Sequence, residues 1–118
     1  LGLDHKIVFK TLVTIGIDKN YYVFVIPIDG ELDLKKAAKA VGQKSLSMIP
    51  VKEINAVTGY IRGGCSPVGM KKKYPTYFDE TCILWDEIAV SAGERGHQMI
   101  LPPEALAELV NGKMVDLT

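Results

Sequence analysis

The chain has 118 residues, 14 basic and 14 acidic side chains, and a formal net charge of zero. That length suits one compact domain with its own core, and neutrality excludes a molecule that holds polyanions by bulk attraction, so any nucleic acid must be met by a local patch. Two cysteines, Cys65 and Cys82, lack the spacing of a zinc site, and with neither a leader pattern nor a membrane-length apolar run the chain reads as cytoplasmic, with free thiols.

Residues 7–16 and 21–28 are rich in β-branched and aromatic side chains and are split by Asp18, Lys19 and Asn20, which predicts a hairpin. Residues 31–41 place Leu34, Ala37, Ala38 and Val41 at helical spacing and stop at Gly42. A second helix is expected over 51–57, after Pro50 and before Gly59. Short strands follow at 76–79, 87–91 and 97–101, the last two joined by a turn at 92–96. A final helix runs from Pro102 or Pro103 to Val110, closed by Asn111 and Gly112, and a last strand is expected over 113–117. The elements mix without strict alternation. They predict an α/β chain of α+β type: a mixed, mostly antiparallel sheet, curled or closed into a barrel, with helices outside.

Two features carry chemistry. Residues 59–73 join glycines 59, 63, 64 and 69, a Ser66-Pro67 step and Lys71, Lys72 and Lys73. Glycine-rich turns present backbone N–H groups to anions and a basic rim adds attraction, although a plain surface turn before a solvated charge run has the same composition. Lys10 shares a strand face with Val8 and Leu12, opposite Phe9, Thr11 and Val13, so both faces look apolar. A lysine there either snorkels from an edge or points into a cavity, where it would hold a phosphate or hydroxyl. His5 and His97 lie in no hydrolase or metal pattern, Cys65 reads as a packed side chain or a nucleophile, and Asp79 with Glu80 reads as a general base or as exposed acids at a strand end. Tyr21, Tyr22 and Phe24 read as packing aromatics.

The run Val8-Phe9-Lys10-Thr11-Leu12-Val13, then Thr58-Gly59-Tyr60, Gly63 to Gly69 and Lys71-Lys72, then Ser91-Ala92-Gly93 with Arg95-Gly96, resembles the YbaK-type aminoacyl-tRNA deacylases. The resemblance implies trans-editing, the hydrolysis of a mischarged aminoacyl ester at the tRNA 3′ end, most typically cysteine on the proline tRNA, without metal or cofactor. It implies that Lys10, Gly63 and Gly64 are catalytic. Ser66, Pro67, Ser91, Gly93, Gly96 and Gln98 would bind substrate, and Arg62, Lys71, Lys72 and Lys73 would form a rim for RNA. The implied mechanism has no protein nucleophile: the substrate's thiol attacks its own carbonyl and expels the tRNA as a thiolactone forms. Prolyl-tRNA synthetase is the implied protein partner. The family normally has a segment before the Val-Phe-Lys strand that this chain, read as a single domain over 1–118, is expected to lack. That shortening leaves open a non-catalytic module of the same fold that binds tRNA or the synthetase. Gln98 stands where some members carry an acid, and Cys65 where others carry an aliphatic residue.

Overall fold

The computed structural model describes residues 5–60, 65–70, 73–93 and 97–118. Strands β1 (Phe9–Gly16) and β2 (Tyr21–Pro27) form the expected hairpin, in unbroken register from Phe9 opposite Pro27 to Ile15 opposite Tyr21. Asp18 shapes the turn by accepting the N–H of Asn20, and the Tyr22 hydroxyl donates to the same carboxylate at 2.7 Å. Helix α1 (Leu34–Val41) starts three residues later than the periodicity suggests, because Asp33 accepts the N–H groups of Lys35 and Lys36 and so fixes the first turn. Gly42 ends it in the left-handed region, at φ 75°.

Strand β3 (Leu46–Met48), absent from the sequence expectation, pairs antiparallel with the end of β1. The expected second helix divides into a 3-10 turn, Val51–Glu53, and a short α2 (Ile54–Thr58) closed by Gly59. Strand β4 (Thr76–Asp79) lies parallel to β2, and β5 (Ile88–Ser91) pairs antiparallel with β6 (Gln98–Leu101). Helix α3 (Pro103–Val110) leads into β7 (Lys113–Val115), which is parallel to β4 and shorter than expected. The larger sheet has the order β3-β1-β2-β4-β7, and a parallel bridge from Val8 to Ala89 ties the β5–β6 hairpin to the start of β1. The sheet system is thus mixed, with antiparallel pairing in three of the five strand pairs among the described residues.

Both faces of β1 are packed, as its sequence predicts. Phe9 joins Val25, Phe78, Ile88, Val90 and Leu106, whereas Val13 joins Val23, Ile49 and Val57. Leu12 packs from the other face with Phe24, Ile26, Leu46 and the Ala37–Ala38 stripe of α1. The aromatics serve packing: Phe24 stacks on Tyr77 at 5.7 Å and Tyr21 meets Tyr74 edge-on at 5.6 Å. Asp79 is not an exposed acid. It is buried, with one oxygen accepting the Leu117 N–H at 2.9 Å and the other the Thr81 hydroxyl, so its carboxylate anchors the segment that follows β7. Among the described residues no helix is long and apolar enough to cross a membrane.

Two consequences can be measured. A β-carbon at Gly112 would stand 2.5 Å from the Phe78 ring, so Gly112→Ala is expected to destabilise the fold by about 1–3 kcal/mol in urea titrations. Burial, reinforced by the charges of Asp79 and Glu104, pushes the Cys82 thiol from 9.0 up to about 11. The unfolded thiol therefore ionises first, and this contribution to stability is complete below pH 9.0 and lost as pH rises through about 11. Stability measured across that range should fall less steeply in Cys82→Ala than in the native chain.

Candidate active site

A cavity of about 460 Å³ lies over β1, within the size range of small-ligand sites. Strand β1 supplies Lys10 and Thr11, β5 and β6 supply Ser91 and Gln98, and Ile28, Met48, Ile49 and Ile54 contribute apolar wall. Ser91 and Gln98 are cross-strand partners, so the hairpin register delivers both polar side chains to one place. Ser91 Oγ accepts the N–H of Gly93 at 3.3 Å, which fixes the turn that follows β5.

Cys65 reaches the same cavity. It is half-buried, and burial pushes its thiol up, opposed more weakly by a hydrogen bond with Thr58. The neutral thiol therefore dominates at physiological pH, which favours packing over nucleophilic attack. Ser66 stands behind this lining: it is buried, and its Oγ accepts the Val68 N–H at 3.2 Å, holding the loop in shape. Pro67 and Lys73 line a different cavity. Gly63, Gly64, Gly96, Arg62, Lys71 and Lys72 lie outside the described residues.

Two residues gain roles that their spacing did not disclose. Thr11 lines the cavity, and its Oγ1 is the buried side-chain polar atom without a hydrogen-bond partner among the described residues. A buried hydroxyl left unpaired costs about 1–3 kcal/mol, so a polar ligand group arriving beside Thr11 would recover that loss. Its sequence signal is faint: a threonine between Phe9 and Val13 on an otherwise apolar face. Tyr60 is the second. Its hydroxyl donates to the Val68 carbonyl at 2.6 Å, and its N–H donates to Thr58 Oγ1 at 3.0 Å. A β-carbon at Gly69 would stand 3.0 Å from that hydroxyl, and one at Gly93, where φ is 102°, would stand 3.1 Å from the ring. One aromatic ring thus joins the glycine-rich loop to the turn after β5, and both glycines make room for it.

A cavity lined by Lys10, the unpaired Thr11 hydroxyl, Ser91, Gln98 and apolar walls on a mixed sheet has the make-up of a small-ligand site. Residues 1–109 match the aminoacyl-tRNA editing domain family, and the chain belongs to that family. It is 52% identical over its whole length to a protein of Enterococcus faecalis named provisionally as the Cys-tRNA(Pro)/Cys-tRNA(Cys) deacylase EbsC, covering 72% of that protein. It is also 33% identical over 100 residues to a proline–tRNA ligase of Shouchella clausii, covering 85% of this chain and 17% of the ligase. Among solved structures, one described provisionally as a trans-editing enzyme for prolyl-tRNA synthetase superposes with a TM-score of 0.89 at 29% identity, over 99% of this chain and 73% of that one.

The orphaned hydroxyl generates a test in which stability and activity move oppositely. Thr11→Val keeps the shape and removes the unpaired oxygen, so it should raise stability by about 1 kcal/mol in chemical denaturation while lowering deacylation of charged tRNA about tenfold. Equal or higher activity in this variant would remove Thr11 from the site.

Proposed function

We propose that this protein is a trans-editing aminoacyl-tRNA deacylase that removes cysteine from the proline tRNA, with the aminoacyl ester seated in the cavity over β1. The observation that carries this reading is the meeting of Lys10, Thr11, Ser91 and Gln98 in one cavity of about 460 Å³, in a chain of the aminoacyl-tRNA editing family. The apolar walls exclude water from the reacting ester and strengthen the pull of the polar groups on developing charge.

The Cys65 thiol, held neutral by burial, is consistent with chemistry supplied by the substrate. In that chemistry the cysteinyl sulfur attacks its own carbonyl carbon. A C–S bond closes the thiolactone as the C–O bond to the ribose breaks, and the thiol proton ends on the departing ribose hydroxyl. Water then opens the thiolactone to free cysteine. The protein's share is orientation. Lys10 holds a ribose or phosphate oxygen, the glycine-rich loop presents backbone N–H groups, and Ser91, Gln98 and Thr11 fix the aminoacyl end. Gly63, Gly64 and Gly96 are assigned to the same backbone cradle, and Arg62, Lys71 and Lys72 to the RNA rim.

Likeness to a segment of a proline–tRNA ligase supports the synthetase as protein partner, and a charged-tRNA substrate supports a cytoplasmic reaction. The test is a panel of cysteinyl-, alanyl- and seryl-tRNA. Release of cysteine is expected to dominate, to fall at least about a hundredfold in Lys10→Ala, and to persist in Cys65→Ala. Binding without release from any member of the panel would instead make the domain a tRNA-binding module, and loss of activity in Cys65→Ala would restore a protein nucleophile.

A further inference from the structure

The loop that gives Cys65 to the first cavity gives Pro67, Val68 and Met70 to a second, of about 350 Å³. The rest of its wall includes Glu108, Leu109, Val110 and Asn111 at the end of α3, and Lys73, Tyr74 and Thr76 before and in β4. Cys65 and Pro67 are two residues apart, so their Cα atoms are separated by at most about 7 Å, on the scale of one nucleotide step along an extended strand. The loop between the cavities is held in shape from within, since Val68 donates to Ser66 and its carbonyl accepts from Tyr60. Leu109 is 65% exposed, a large aliphatic side chain that lines the cavity next to Glu108.

A cavity lined by aliphatic side chains and Tyr74 together with a carboxylate-, an amide- and an ammonium-bearing residue matches one nucleotide better than it matches a purely apolar ligand. The flat faces of a base pack on Val68, Met70 and Leu109. A carboxylate accepts from the exocyclic amine of cytosine, and a lysine holds phosphate as a point charge. Every tRNA ends in cytidine-cytidine-adenosine, so an editing cavity that seats the terminal ester has a cytidine next along the strand. We propose that the second cavity is a base-binding subsite for that cytidine. Glu108 accepts from its N4 amine, Leu109 and Val68 pack on its ring, and Lys73 meets its phosphate. Uridine is disfavoured there because its O4 acceptor would face the Glu108 carboxylate. The proposal rests on the deacylase reading for its substrate but assigns a specificity site that this reading does not contain.

The experiment uses Lys73→Ala, Glu108→Gln and Leu109→Ala, all at exposed positions, with circular dichroism to confirm folding. Three substrates are compared: cysteinyl-tRNA, the same tRNA with uridine replacing the penultimate cytidine, and the cysteine ester of adenosine alone. Lys73→Ala should lower kcat/KM for the tRNA about tenfold more than for the adenosine ester and flatten the salt dependence by about 0.7 in logarithmic slope. Glu108→Gln should shrink the preference for cytidine over uridine from about tenfold to about twofold, and Leu109→Ala should weaken both tRNAs alike. Equal losses on tRNA and adenosine ester, or an undiminished cytidine preference in Glu108→Gln, would overturn the subsite. If the native protein releases no amino acid from any substrate, the deacylase reading fails, and fluorescence anisotropy with uncharged RNA hairpins bearing cytidine-cytidine-adenosine or cytidine-uridine-adenosine overhangs then decides the subsite. Equal affinities for the two overhangs in the native chain would sink it, and a cytidine preference lost in Glu108→Gln would uphold it.

Discussion

Strand β1 is packed on both faces, paired with β2 from Phe9 to Ile15 and with β3 over its last three residues, and the rest of the molecule is arranged around that condition. Phe9 and Val13 commit one face to two separate apolar clusters, and Leu12 commits the other to α1. Thr14 is fully buried between them, and its hydroxyl donates to the Tyr22 carbonyl at 3.0 Å. A slip of one residue would exchange the two faces, drive Lys10 into the cluster around Phe78, and break the Thr14 hydrogen bond. The register is therefore strongly specified. Lys10 and Thr11 take their places beside the cavity as a consequence of packing that has nothing to do with chemistry.

The second constraint is the Tyr60 ring. Two segments meet on its side chain, the loop at Val68 and Gly69 and the turn at Gly93, while its backbone N–H is tied to Thr58 at the end of α2. Loops are usually the mobile part of a scaffold, and a site built on them loses rate when its groups drift by an ångström. Here an aromatic residue held by one hydroxyl and one backbone hydrogen bond supplies the stiffness that strands supply elsewhere. The glycines at 69 and 93 are needed twice over, for backbone conformation at positive φ and for the space the ring fills.

Much of the fold was legible because its signals are local. The hairpin showed in β-branched runs around Asp18 to Asn20, α1 in its apolar spacing and Gly42, and α3 in its prolines and Asn111. Strand β3 was not legible, since three residues with one buried side chain give no periodicity and owe their conformation to the open edge of β1. The parallel pairing of β2 with β4 is a long-range matter that no window contains. Within the site, Lys10 stood out as a charge in an apolar strand. Ser91 and Gln98 could be named only through family likeness, because their meeting depends on hairpin register. Thr11 and Tyr60 escaped, the first because a missing partner is visible only in three dimensions, the second because a tyrosine after a helix stop looks like any other.

Thr11 also shows how such a site can select its ligand. An apolar cavity of this size would accept many small side chains with similar affinity, since one methylene changes binding by only about 1–3 kcal/mol. A buried hydroxyl without a partner changes the comparison. A ligand that presents a hydrogen-bonding group beside it recovers the cost of an unpaired hydroxyl, whereas one that presents a methyl group leaves that cost in place and excludes the water that would otherwise relieve it. A valine at this position would carry no hydroxyl for a ligand to satisfy, so the discrimination rests on the threonine oxygen itself. Placed beside Lys10 on a strand whose register cannot shift, that oxygen becomes a fixed criterion for what the cavity will hold.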